Sequence, residues 1–253
     1  MQKIRLSQTD DREAWLEERR QRITGTKFAS VRPLKVKRNG TTMPAGFWDL
    51  LAEYIAVAPT GQKPMDRGHD LENVAIGEAA AKLKIPAYKV NTDPGFWISD
   101  DDNSIADSPD GAENAEKVTF AFEVKCLNSG KHLMYTLYDN IAKHAGDEDY
   151  MSKLPEWLVD ALPPMSNEYD PLLSVPPEYQ NQALQYFVVN KELQTLYFVL
   201  YDDRMSIDDY VCHIITINRK DVDDRASKQY EVCKTQLGKI RELLKLIVKG
   251  GIK

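Results

Sequence analysis

The sequence predicts a mixed α/β (α+β) fold, a central β-sheet flanked by helices, and three observations carry that reading. Runs rich in β-branched and aromatic residues at 120–126, 195–201 and 210–217 read as strands. Segments of helical periodicity surround them at 69–83, 178–189 and 221–249. A length of 253 residues, 42% of them hydrophobic, supports a core of ordinary size, and the chain is read as one domain over 1–253 with inserts at 32–64 and 139–177.

In chain order, residues 8–22 read as a helix capped by Thr9 or Asp10, with Asp11 and Glu13 in its first turn and Trp15, Leu16 and Arg19 beyond. Gly25, between Thr24 and Thr26, marks a turn into a second helix. Hydroxyls at a helix N-terminus beside an arginine suit an anion; the plainer alternative is that Thr26 only caps the helix and Arg19 only covers its stem. The apolar positions of 47–55 recur at helical spacing and 59–64 is a loop. A helix follows with Val74, Ala75, Ala79 and Leu83 along one face and Glu72 in its first turns, where an acid by itself is a partner for the helix dipole. Residues 88–90, 96–98 and 104–106 read as strand and turn leading to Pro109-Asp110-Gly111.

The strand at 120–126 is the most informative stretch. Glu123 and Lys125 are two apart and point to one side, while Phe122, Val124 and Cys126 point to the other. An acid and a base on one face of so apolar a strand imply a polar site within a largely buried sheet. After it, 131–138 turns helical, and 139–177 is loop-rich, with several prolines and a short helix at 156–158. The helix at 178–189 places Gln182 and Tyr186 on one face. The last helix, 221–249, carries Leu237, Ile240, Leu244 and Ile247 as a stripe and stops at Gly250-Gly251.

The net charge of −6 is unevenly spread: residues 1–38 hold 11 Lys and Arg against 5 acids, and the remainder carries −12. No apolar run suffices for a transmembrane helix, and the N-terminal residues lack the apolar stretch of a secretory signal. Three scattered cysteines predict a reducing cytoplasm, with neither a disulfide framework nor an iron–sulfur or zinc site. The four histidines have no ligand spacing, so none is assigned to a metal.

Asp110, 13 residues before Glu123, adds a second carboxylate to the strand's Glu123 and Lys125. Asp110 and Glu123, with the carbonyl of Val124 between Glu123 and Lys125, form an oxygen set that suits Mg²⁺. Lys125 beside it would position water or stabilise charge on a phosphorus centre, which points to metal-assisted phosphodiester hydrolysis.

The order of motifs resembles the lambda-exonuclease, or YqaJ-type viral recombinase, branch of the PD-(D/E)xK nucleases. The resemblance runs through Trp15-x-x-x-Arg19, Ile23-Thr24-Gly25-Thr26, Gly68-x-x-Leu71-Glu72, Ser108-Pro109-Asp110-Gly111, Glu123-Val124-Lys125-Cys126, Gln182-x-x-x-Tyr186 and Tyr201-Asp202-Asp203-Arg204-Met205. It implies a restriction-endonuclease-like core with a mixed sheet. Asp110 and Glu123 would ligate Mg²⁺, with Mn²⁺ substituting; Lys125 would be the catalytic lysine, and Glu72 an acid near the metals. Gln182 and Tyr186 would line the site from the following helix, and Arg19, Thr24 and Thr26 would hold a 5′-phosphate. Thr26 stands where the family often has Ser, which keeps the hydroxyl.

By resemblance the activity is a 5′-to-3′ exonuclease that degrades one strand of linear duplex DNA to mononucleotides. It would leave 3′ single strand for phage-type recombination, work as a ring-shaped homotrimer with a single-strand annealing protein, and act in the cytoplasm away from membranes. A structure- or site-specific endonuclease and a non-catalytic DNA-end-binding protein are the alternatives.

Overall fold

A computed structural model describes residues 64–248 apart from 164 and 167, with side chains described over 71–238. The expectations at 8–22, at Thr24 and Thr26, and at 47–55, Arg19 among them, lie outside the described residues. Helix α1 (Pro64–Lys82) is followed by a 3-10 turn at Ala87–Lys89. Four short strands come next: β1 (Val90–Asn91), β2 (Trp97–Ile98), β3 (Ala106–Asp107) and β4 (Gly111–Glu113). The central strand β5 (Phe120–Lys125) leads to helices α2 (Ser129–Ala142), α3 (Glu148–Ser152), α4 (Glu156–Ala161) and α5 (Pro171–Ser174). Helix α6 (Pro177–Val189), strand β6 (Thr195–Tyr201), helix α7 (Asp208–Val211), strand β7 (Cys212–Asn218) and helix α8 (Arg219–Val248) complete the order.

The main sheet runs β1-β4-β5-β6-β7, and β2 pairs with β3 in a separate two-stranded ribbon. It is a mixed sheet, because β4 and β5 are antiparallel while β5 and β6 are parallel. Parallel neighbours need a long crossover, and the chain from α2 to α6 supplies it.

The described chain divides into two compact units interleaved in sequence. One comprises His69–Lys125, Asp170–Leu200 and the chain from Ile214. Its core includes Ala121, Phe122, Leu196, Phe198, Ile215 and Ile217 on the strands and Ala183 and Phe187 on α6. Helix α8 is tied along α6 by Gln229 Nε2, which donates to Asn181 O (2.9 Å) and Gln185 Oε1 (2.8 Å). Arg225 Nη1 pairs with Asp170 at 2.7 Å.

The other unit contains Cys126–Tyr169 and Tyr201–His213. Asn128 caps α2 by accepting from the Lys131 N–H at 2.8 Å. Tyr138, Ile141, Ala142 and Leu162 are buried there with Met134, Leu158 and Tyr169 packed against them. Asp139, on the same helix, is wholly buried and accepts from Tyr169 Oη (2.6 Å), lies 2.8 Å from His213 Nε2, and pairs with Lys143 (2.6 Å).

Several sequence expectations move. On α1 the buried residues are Ala75, Ile76, Ala79 and Ala80, whereas Val74 is 47% exposed, so the core-facing stripe is rotated from the one predicted. Residues 139–142 extend α2, and 148–152, 156–161 and 171–174 are short helices, so 139–177 is less loop-rich than its prolines suggest. Tyr210 lies in α7, and the last strand begins only at Cys212. All three cysteines are free. Among the described residues no helix is long and apolar enough to cross a membrane.

Candidate active site

The site follows from the pairing of β4 and β5. Gly111 lies opposite Phe122 and Ala112 opposite Ala121. Asp110 lies one residue before that paired stretch, and its N–H donates to Phe122 O, the residue opposite Gly111, so it abuts β5 where its charge acts on Glu123. Two carboxylates 13 positions apart in sequence thus become neighbours. Strand β4 begins only at Gly111, and in place of an earlier strand residue the Asp110 side chain takes the next donor, with Oδ2 accepting from the Val124 N–H at 2.7 Å. The Asp110 N–H still donates to Phe122 O at 3.1 Å, so main chain and side chain both lock Asp110 to β5.

Gly111 lets α1 approach this corner. A Cβ added there would lie 3.0 Å from Ile76 Cδ1, so a larger residue would force Ile76 aside. Glu72 is one turn before Ile76 on the same helical face and is half-buried, which sets it on the side of α1 that meets the β4 corner.

Glu123 is held from two directions. Its Oε1 forms an ion pair with Lys125 Nζ, and its Oε2 accepts from the Tyr186 hydroxyl. Gln182 Nε2 donates to that hydroxyl at 3.2 Å, and the Ser108 carbonyl, 3.1 Å away, is the alternative acceptor for its single proton. Lys125 Nζ lies 5.1 Å from the centre of the Tyr179 ring, a cation–π distance. Tyr179, Gln182 and Tyr186 follow one face of α6 at spacings of three and four. The edge of Trp97 packs on Tyr186 with ring centres 6.3 Å apart.

Among the residues predicted for the site, the structure brings together Asp110, Glu123, Lys125, Gln182 and Tyr186, with Glu72 on the adjoining helix. Sequence reasoning passed over two neighbours, Tyr179 and Asp107. The first completes an i, i+3, i+7 series with Gln182 and Tyr186, which the periodicity of 178–189 contained. The second stands three residues before Asp110, and both Asp110 and Lys125 act on its charge.

The electrostatics are lopsided. Three carboxyls, those of Asp107, Asp110 and Glu123, share one ammonium in apolar surroundings. Burial pushes Glu123, whose side chain is 1% exposed, up to about 7; Lys125 opposes the rise and Asp110 adds to it. Burial likewise raises Asp110 against the Val124 N–H and Lys125, and raises Asp107 against its bond from the Ser108 N–H. Burial works to lower Lys125, but Glu123 and Asp110 outweigh it and hold the ammonium above its ordinary range. Burial and the carboxylates of Glu123 and Asp107 raise Tyr186 strongly, so its hydroxyl stays protonated as a donor.

Excess buried negative charge with oxygen ligands fits a hard divalent cation. Among the described residues no three His, Cys, Asp or Glu side chains are gathered into a metal-holding group. Divalent-cation affinity is expected to rise with pH through about 7 and then level off, because protonated Glu123 brings no charge to the ion. Calorimetric Mg²⁺ titrations on either side of neutrality check this, and an affinity that ignores pH would contradict it.

Two solved structures are similar to this chain. An alkaline exonuclease from Laribacter hongkongensis matches with 19% identity and a TM-score of 0.47, over 95% of this chain and 100% of that one. The same enzyme in complex with dAMP matches with 20% identity and a TM-score of 0.45 over the same shares. No curated protein sequence matches. The YqaJ-like viral recombinase domain matches residues 14–157. That span is more than half of the chain and contains Glu72, Asp107, Asp110, Glu123 and Lys125. The chain belongs to the YqaJ-like viral recombinase domain family.

Proposed function

We propose that this protein is a Mg²⁺-dependent exonuclease that degrades one strand of linear duplex DNA from its 5′ end, releases mononucleotides and leaves a 3′ single strand for recombination. Family membership supports a nuclease function. The observation that carries the reading further is Asp110, bonded to the Val124 N–H, beside Glu123 and Lys125, a group with more negative charge than the lysine balances.

Asp110, Glu123 and the carbonyl of Val124 would hold Mg²⁺ or Mn²⁺, with Glu72 on the adjoining helix. The bound ion supplies neutralisation of phosphate charge and a lowered pKa for water. Lys125 supplies a donor that orients the attacking water or binds a phosphate oxygen as charge develops. Glu123 and the Tyr179 ring aim the ammonium, and Gln182 and Tyr186 fix the Glu123 carboxylate. Arg19, Thr24 and Thr26 would bind the 5′-phosphate, which gives the reaction its direction. A homotrimeric ring on duplex ends and a single-strand annealing partner belong to the same reading, as does action in the cytoplasm.

The test is digestion of linear duplex labelled separately at its 5′ and 3′ ends, with and without Mg²⁺. The 5′ label is expected to be released first, as mononucleotide, only with Mg²⁺, and faster from phosphorylated than from hydroxyl ends. Early release of the 3′ label would reverse the polarity, cutting of covalently closed circles would indicate an endonuclease, and binding of ends with no release of either label would leave a non-catalytic protein.

A further inference from the structure

We infer that Asp107 is a further acid of the cation site, a positioning residue whose free carboxylate oxygen accepts from the hydration water that a hard divalent cation retains. The inference rests on the metal reading above and extends it to a residue outside the Asp110, Glu123 and Lys125 pattern. Asp107 Oδ1 is used locally, accepting from the Ser108 N–H at 2.9 Å. Its Oδ2 is shielded from solvent and has no hydrogen-bond partner among the described residues. A buried carboxylate oxygen without a donor is costly, and here it persists where Asp110 and Glu123 already concentrate negative charge.

The ribbon positions this acid. Asp107 pairs across β2–β3 with Trp97, and Trp97 packs against Tyr186, the residue that holds Glu123. The Tyr186 hydroxyl also lies 3.1 Å from the carbonyl of Ser108, next to Asp107 in the chain. Asp107 thus stands beside the pair of rings that holds Glu123, half-buried but with its Oδ2 out of solvent, and its charge acts on Tyr186. Mg²⁺ dehydrates reluctantly, and an unpaired acceptor beside its ligands offers what its waters need. A ligand set of two acids leaves room for those waters, and Asp107 supplies the partner beyond them.

The test is Mn²⁺ binding to the full chain without DNA, read by water-proton relaxation, beside thermal melts. Asp107→Asn keeps an oxygen for the Ser108 N–H and loses the charge. It is expected to melt as wild type does and to bind Mn²⁺ about tenfold more weakly, as loss of an outer partner does. Asp107→Glu is expected to recover part of that loss. Wild-type affinity in D107N, with D110N weakened, would overturn the role of Asp107 and leave the metal site standing. Equal weakening in D107N and D107E would also overturn it, because charge would not be the cause. Failure of the wild type to bind Mn²⁺, or unchanged binding in D110N, would remove the metal reading and this inference together. Should D107N not fold, D107S serves in the same comparison.

Discussion

Lys125→Ala is expected to slow hydrolysis of linear duplex DNA by roughly 10²–10³-fold, the cost of removing one preorganised donor from a site where charge develops. Binding of DNA ends is expected to persist, because a protein's affinity for duplex DNA comes mostly from many phosphate contacts and loses little with one lysine. Lys125 also opposes the burial that raises Glu123. Its loss therefore pushes Glu123 further up, and the cation-binding transition moves to higher pH. Single-turnover digestion at saturating protein, with gel-shift binding of the same duplex, separates the two effects. Undiminished hydrolysis by Lys125→Ala would remove the lysine from the mechanism.

Asp139→Ala is expected to destabilise the protein by about 3–5 kcal/mol, the cost of removing one member of a buried ionic group and leaving its partners unpaired. Tyr169, His213 and Lys143 all converge on the carboxylate of Asp139. Lys143 is partly exposed and contributes less than the buried His213. Burial works to raise Asp139, but His213, Lys143 and Tyr169 outweigh it and hold its carboxyl well below the usual carboxylate range. The stability this confers is therefore present above the unfolded value, near 4, and is lost as pH falls below it. Chemical denaturation of wild type and variant measures the loss. In wild type the melting temperature is expected to fall on the acid side, and the variant should show less of that fall; parallel curves would mean that another group controls it.

The central strand was legible because its alternation is long enough to have a phase. Glu123 and Lys125 occupy one side of β5 and Phe122 and Val124 the other, as read from six consecutive residues. Strands β1 to β4 span only two or three residues each, too short for any period to emerge. Their pairing had to come from contacts across the chain. That is why Asp110 was identified by its motif and not by its register, and why Asp107 went unassigned: only the pairing of Trp97 with Asp107 reveals where it stands. Val74 was placed inside because it is apolar, but α1 buries small residues and Ile76, which let the helix come close to Gly111. Prolines in 139–177 were read as loop signals, although Pro171 starts a short helix and Pro155 immediately precedes another.

The bond from the Val124 N–H to Asp110 has a consequence for which substitutions the nuclease motif tolerates. The anchor of the first acid is main chain, so no side-chain replacement at position 124 can delete it, and nineteen of the twenty amino acids supply it unaltered. What the position demands of its side chain is apolar bulk, because Val124 is buried. Proline alone would release Asp110, since it alone arrives without the hydrogen. The middle residue of Glu123-Val124-Lys125 is thus free to vary among apolar residues of similar bulk while remaining closed to proline.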